Sequence, residues 1–530
     1  MTLRRRGRDH TSEPLTASRP PRPAYRVDSI RRNAAFLLAV QLTSSAFTAV
    51  LTLFLVRALG PGRYGLFSLA LAIGALAVLP SDLGISPATA RFVAERRGDS
   101  AAIARLMANS LRLKLAIAAV VSTALFVSAH VIASAYGNGA LTWPLRGIAV
   151  SVFGESLMGL LIVSFVAQGR VSSNLRLVFS ESAIELAASI GLVLLGAGAT
   201  GAAFGRAVGY VFGAAVGFVL MVRVLGRTAV GVRRVQDRRI RQLVTYAGSL
   251  AVVDSAWTLF AKIDSILIGA IINARSVALF DAPMRLITFL QYPASAMAGG
   301  VAPTLARTDR ARVPDSGPFT AALRYALILQ AALIAPFLVW AEPITGVLFG
   351  KGYERSADVL RALTPYVFLA GAAPIVSISA TYLGEARRRI PVVLAADATN
   401  VLVDLILLPR VGVVGAAVGT DLGFLLYVPA HLLICRRRLG FSLRPLVLTT
   451  LRVLMAAAAM SAVFAALGTE VTLTRGVVGA VGGVAAFVAT LVVTREVTLG
   501  ELRAVWHAFR LRLQSPRRSH PAEAGLDRPS

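Results

Sequence analysis

Apolar stretches of membrane-crossing length, parted by short polar breaks, recur from residue 33 to residue 493. Crossing the hydrocarbon core takes about 20 mostly apolar residues. A backbone in lipid must satisfy its own hydrogen bonds, so such segments cross as helices. Fourteen spans are read, at 33–56, 65–83, 113–135, 147–167, 178–197, 202–222, 243–271, 278–303, 321–348, 362–383, 391–408, 413–434, 446–467 and 476–493. Only 15% of the residues are charged, well under the roughly 25% of soluble domains. The expected class is therefore all-α, a polytopic membrane protein of about 14 transmembrane helices.

The breaks carry the orientation. With the N-terminus inside, the outer loops hold only Arg57, Arg63, Arg146, Arg275, Lys351, Arg355, Arg361, Arg410 and Arg475 of the 55 Lys and Arg. That asymmetry obeys the positive-inside rule and predicts a multi-pass cell-membrane protein with both termini cytoplasmic. It also accounts for the net charge of +28, so a nucleic-acid partner is not expected.

A repeat runs through the chain. Gly-Ala-Ala-Phe-Gly at 201–205 recurs as Gly-Ala-Ala-Val-Gly at 415–419, Gly169 answers Gly384, and Phe67 answers Phe280. An even number of spans per copy brings both copies into the membrane from the same side, as two lobes with a cavity between them. The expected organisation is a disordered basic cytoplasmic tail at 1–30, an N-lobe at 31–225, a C-lobe at 243–440 and two appended spans within 446–493. An amphipathic interfacial helix at 496–513 follows, opened by a Thr498/Glu501 capping box, then a disordered tail at 514–530.

The first break reads Leu-Gly-Pro-Gly-Arg-Tyr-Gly, residues 59–65. Gly60 and Gly62 permit tight backbone angles and Pro61 presets one, which predicts a hairpin between spans 1 and 2. Leu59, Gly60, Pro61, Tyr64 and Gly65 match the first hairpin of bacterial oligosaccharide flippases, the polysaccharide-biosynthesis transporters of the MATE-like superfamily. "PITGVLFGKGYERSADVLRAL", at the outer turn between spans 9 and 10, is also similar to that family. The resemblance covers about residues 30 to 440. It implies a V-shaped pair of six-helix lobes and translocation of a polyprenyl-diphosphate-linked glycan from the inner to the outer leaflet. The partners it implies are membrane lipid, the lipid-linked glycan, and glycosyltransferases or a polymerase of the same pathway.

Charges inside spans cost about 2.5–3.5 kcal/mol each at mid-membrane, so most should line a wet cavity or pair. Arg285 lies one helical turn after Asp281; it suits either an ion pair or a grip on a substrate diphosphate, since its fork matches phosphate oxygens. Lys262 lies between Asp254 and Asp264 in span 7, but the three do not share a face. Arg206 suits either binding or snorkelling at the outer end of span 6. Arg31 and Arg32 stand at the inner entry of span 1 and either attract anionic headgroups or simply obey the orientation rule. These five cations are the candidate substrate ligands. The candidate ion-coupling groups are Glu181 and Glu185, one turn apart, with Asp254, Asp264 and the stripe Asp397, Asn400 and Asp404. Coupling to H⁺ or Na⁺ is left open, and no cofactor is expected.

Glu155 and Asp421 add to a preponderance of acids, which suits a cationic cargo better than a polyanionic one. A MATE-type cation-coupled drug or metabolite antiporter is therefore the alternative to the flippase. An enzyme is not expected: the loops are short, no Gly-rich nucleotide loop precedes a helix in a βαβ setting, and the five His have no ligand spacing. His130 and His431 read as satisfied polar residues. Cys435, the single cysteine, reads as a small apolar residue at a helix end.

Overall fold

The computed structural model describes residues 27–501 and 503, except 97–98, 226–238 and 312–314, and 470–471. Among these residues the regular structure is entirely helical. The N-terminal half holds α1 (Val27–Asp82), α2 (Ile85–Glu95), α3 (Ser100–Ala135), α4 (Thr142–Ala167), α5 (Val171–Leu192) and α6 (Gly198–Leu225). The second half holds α7 (Arg239–Ile271), α8 (Ala274–Leu290), α9 (Tyr292–Ala311), α10 (Gly317–Val339), α11 (Ala341–Phe349), α12 (Ser356–Ala362), α13 (Thr364–Ala370), α14 (Ala373–Tyr382), α15 (Ala386–Val411) and α16 (Val414–Leu439). Helices α17 (Arg444–Leu467) and α18 (Leu473–Val493) complete it. Among the described residues ten helical stretches are long and apolar enough to cross a membrane.

Two of those ten are hairpins. Helix α1 has 56 residues, about 84 Å at 1.5 Å per residue, far beyond a bilayer core of about 30 Å. It breaks at Gly60, whose φ of 64° and ψ of 172° no helix accepts. Thr48, Leu51 and Leu55 before the break line one small cavity with Tyr64, Phe67 and Leu71 after it, so the two arms fold back on each other. Helices α5 and α6 reverse in the same way through Gly196 and Gly198, both at positive φ, and pack along their lengths. In the other half α15 and α16 pack as a matching pair.

The spans expected at 278–303, 321–348 and 362–383 are broken helices. They divide at Gln291, at Trp340, and at Leu363 and Gly371–Ala372. The segments after the breaks, α9, α11, α13 and α14, each carry a proline in their first turn: Pro293, Pro343, Pro365 and Pro374. Proline lacks the N–H that would continue the preceding helix and suits a new first turn. The loop expected before span 3 is also mostly helical, because the Asp99 carboxylate accepts the Ala102 N–H at 2.8 Å and caps α3 thirteen residues early.

Helix α17 lies against α10, and α18 against α17. Trp340 stacks on Phe464 at 4.0 Å and donates its indole N–H to Gly468 O at 3.1 Å. Their outer faces expose Val447, Leu451, Met455, Val477, Val481 and Val484, as lipid-facing helices require.

Beyond α18 the described chain reaches the expected capping box. The Thr498 N–H donates to Glu501 Oε2 at 2.8 Å and the Glu501 N–H to Thr498 Oγ1 at 3.2 Å. The remainder of the amphipathic helix and both expected disordered tails, apart from 27–30, lie outside the described residues. Arg324 of α10 clasps this turn, reaching Glu496 Oε1 and Glu501 Oε1, each at 2.9 Å. The Arg324 hydrogen bond, helped by the Thr498 N–H, lowers the Glu501 carboxyl from 4.5 to about 2. A depressed carboxyl stabilises the clasp fully above its ordinary value, and that contribution is lost as the pH falls through about 2. Segment 496–501 should therefore resist pepsin at pH 4 and be cut as the pH approaches 2. In Arg324→Gln it should already be cut at pH 4; equal resistance of the two proteins at pH 4 would refute the clasp.

Candidate functional site

Helix α1 packs on α7 and α8 of the other half. At the Gly60 end the seam is tight. Tyr353 donates to Val56 O at 3.3 Å and Arg57 Nε to Leu348 O at 3.1 Å. Gly65 lies so close to α8 that a Cβ there would stand 1.8 Å from Ala274 O.

Below this seal the halves enclose a cavity of about 310 Å³. Its walls include Thr48 and Thr52 of α1, Lys262 and Asp264 of α7, Asp281 and Arg285 of α8, and aromatic rings from α7 and α16. Asp281 is the hub. Its Oδ2 accepts from Arg285 Nε at 2.7 Å, Ser68 Oγ at 2.8 Å and Tyr64 OH at 3.1 Å. Tyr64 belongs to the hairpin motif, so that motif delivers a hydroxyl from one half to a carboxylate of the other. Lys262 and Arg285 both face the cavity. Among the described residues no hydrogen bond or ion pair engages Lys262, whereas Asp281 is saturated. Lys262 is thus a cation without an ion-pair partner, although the carboxylate of Asp264 lines the same cavity.

Arg206 does not snorkel. It bonds Glu185 at 2.9 Å, Tyr210 OH at 3.1 Å and Glu155 at 3.4 Å. Arg206, Glu185 and Arg285 line one small cavity of about 40 Å³ against α1. Glu181 is buried beside this group and accepts from Ser182 Oγ at 2.9 Å. Arg206 thus pairs with two of the three acids gathered here, Glu155 and Glu185.

The second half gathers a different set. Asp264 accepts from Asn400 Nδ2 and from Thr420 Oγ1, each at 2.7 Å. Asp404 stands within hydrogen-bonding reach of Asp264, yet neither of its oxygens has a donor, nor does Asn400 Oδ1. Asn400 and Asp404 are fully buried. Buried acceptors without donors are costly, and two facing carboxylates repel unless they share a proton or a cation. Asp264, Asn400, Asp404 and Thr420 therefore suit a monovalent cation or a proton, beside the central cavity that Asp264 and Thr420 line. Among the described residues no group of three His, Cys, Asp or Glu could hold a metal ion.

Several candidates fall outside these groups. Asp397 is buried on α15 with neither oxygen bonded. Asp421 accepts the Tyr366 N–H at 2.8 Å and so caps α13, a structural task. The side chains of Arg31, Arg32 and Asp254 lie outside the described residues. Two features escaped the sequence reading. Lys114, buried on α3, pairs with Asp82 and with Ser86 Oγ at 3.2 Å; Lys114 stands at the start of span 3, where it reads as one more loop cation, and Asp82 at the end of span 2. Arg389 was counted with an inner loop, yet it lines a cavity of about 500 Å³.

A family model described as polysaccharide biosynthesis protein matches residues 30–309. Curated protein sequences give no match. Among solved structures, the lipid II flippase MurJ in an inward closed conformation superposes with a TM-score of 0.68 at 12% identity, covering 87% of this chain and 98% of that one. An inward-facing multidrug resistance MATE family transporter gives 0.64 at 16%, covering 75% and 94%. The MATE multidrug transporter DinF-BH in complex with R6G gives 0.57 at 16%, covering 79% and 98%. At such identities the likeness establishes the fold.

Proposed function

Since the chain belongs to the polysaccharide biosynthesis protein family, we propose that this multi-pass membrane protein is a flippase that carries a polyprenyl-diphosphate-linked oligosaccharide from the inner to the outer leaflet. One observation carries the reading: the central cavity offers an unpartnered Lys262 and a fork-bearing Arg285, while its principal carboxylate, Asp281, is already neutralised. Such a cavity attracts a diphosphate, because a desolvated cation gains most from an anion. The seal at the Gly60 end closes the outer side in the orientation read from the loop charges, so loading would come from the inner leaflet, where the substrate starts. Alternating access follows from rocking one lobe against the other about that seam.

The test is transfer of a labelled lipid-linked oligosaccharide in vesicles holding the purified protein. Label should become accessible from outside at a rate that scales with protein content. Transfer no faster than in protein-free vesicles would end the proposal.

A cation at Asp264, Asn400, Asp404 and Thr420 would couple to this movement. A Cβ at Gly419 would stand 2.1 Å from Asp404 Oδ1 and 2.6 Å from Asn400 Oδ1. Gly419→Ala should therefore fill the site and lower transport about tenfold, equivalent to about 1.4 kcal/mol, with loss of its Na⁺ or pH dependence. Unchanged ion dependence would remove these residues from the coupling role.

The orphaned acceptors of Asp404 and Asn400 also favour a second reading, a cation-coupled drug or metabolite antiporter. Efflux of cationic dyes from cells making the protein, abolished by Asp404→Asn, would select it over the flippase.

A further inference from the structure

We propose that the cavity of about 500 Å³ against Arg389 is a second anion-binding subsite, which takes the phosphate ester of a lipid before it reaches the central cavity. Arg389 stands in the first turn of α15. Its Nη1 donates to Thr381 Oγ1 at 2.5 Å, its Nη2 to Ser377 Oγ at 2.6 Å, and its Nε to His431 Nε2 at 3.4 Å. His431 Nδ1 contacts Tyr427 O at 2.9 Å. A carbonyl only accepts, so Nδ1 carries the hydrogen and Nε2 is free to accept from Arg389. All three partners are neutral acceptors. Neighbouring Arg388 pairs with Glu385 at 3.1 Å, but among the described residues no carboxylate pairs with Arg389. A guanidinium has five N–H donors, so two are left for a ligand while its charge stays uncompensated. It is held in place and partly exposed, as an anion-binding arginine must be. The start of α15 adds the positive end of a helix dipole.

The surroundings fit an amphiphile with a phosphate. Trp257 and Tyr427 line the cavity, with ring centroids 5.9 Å apart, and Ser295 and Gln291 supply polar groups. Trp257, Gln291 and Phe424 line both this cavity and the central one, so the two share a wall. An anion released by Arg389 meets Lys262 and Arg285 on the far side of that wall. This order of events rests on the transport reading above; anion binding at Arg389 does not.

The test uses the whole protein in phosphatidylcholine nanodiscs. Phenylglyoxal modifies accessible guanidinium groups, and peptide mass spectrometry reads the rate at Arg389. Inorganic diphosphate should slow that rate at least about fivefold, with the protection kept in Lys262→Met. An unchanged rate at Arg389 would overturn the subsite. Adding polyprenyl diphosphate or phosphatidylglycerol in parallel identifies the source, and protection by either upholds the site. In transport assays Arg389→Lys, which keeps the charge but loses the fork, should raise the substrate concentration for half-maximal rate about tenfold. Transport that fails altogether while Arg389 remains protected sinks the flippase reading and leaves the subsite. Transport that persists while diphosphate gives no protection sinks the subsite alone.

Discussion

Arg285→Ala should reduce transport of a lipid-linked oligosaccharide about a hundredfold in reconstituted vesicles. The guanidinium is three-quarters buried and its Asp281 partner nine-tenths buried. Removing one member of a buried pair costs about 3 kcal/mol or more, because the other charge is left uncompensated. Here the loss also removes one of the cavity's two cations and leaves Asp281 opposing Lys262. Stability and transport can be separated. In Arg285→Ala/Asp281→Asn the orphaned carboxylate is gone, and Tyr64 and Ser68 retain an oxygen to donate to. The double variant should recover the thermal midpoint lost by Arg285→Ala but not its transport. Recovery of both would mean that the pair is structural and that the diphosphate is held elsewhere.

Gly65→Ala should unseal the lobes at the Gly60 end. The added methyl carbon would lie 1.8 Å from Ala274 O, 2.7 Å from Ala274 C and 3.3 Å from Arg275 Cα. These are backbone atoms, so no rotamer change relieves the clash and α1 must move away from α8. Overpacking of this kind costs about 1–3 kcal/mol. It falls one residue from Tyr64, whose bond to Asp281 already spans 3.1 Å. Spin labels at Arg63 and Lys351, on opposite sides of the seam and in a Cys435→Ala background, should report a longer distance than in the parent. Transport should fall at least about tenfold, because a lobe pair that cannot seal cannot alternate. An unchanged distance with parental transport would show that the seam is not the gate.

The hairpin motif shows how far sequence reading reached. A Gly-Pro-Gly turn between two apolar stretches can only reverse the chain, and the structure reverses at Gly60. Nothing local revealed that Tyr64 and Ser68 would meet Asp281, more than two hundred residues away. The Arg285–Asp281 pair was legible from its one-turn spacing; the fate of Lys262 was not. By helical spacing Lys262 and Asp264 fall on different faces of span 7, yet both border the central cavity. Asn400 and Asp404 read as one stripe with Asp397, Asp264 stands apart from it on span 7, and Thr420 carries no sequence signal at all. Their convergence needs α15 and α16 to close on α7, which no periodicity encodes.

Arg389 shows the opposite failure. A run of three arginines at a span boundary satisfies the positive-inside rule so well that the sequence points to no further task for any of them. Only the packing of α14 and α16 turns one of the three into a cavity wall while another is spent on Glu385.

By itself, then, the chain determined its helical class, its membrane-crossing segments and its first reversal. Those follow from free-energy terms summed over local segments: transfer of about twenty residues into lipid, and the φ that a glycine permits. Which charges remain free was decided only when the lobes packed. A charge is neutralised by whatever stands within a few ångströms, and in this protein those neighbours come from distant parts of the chain.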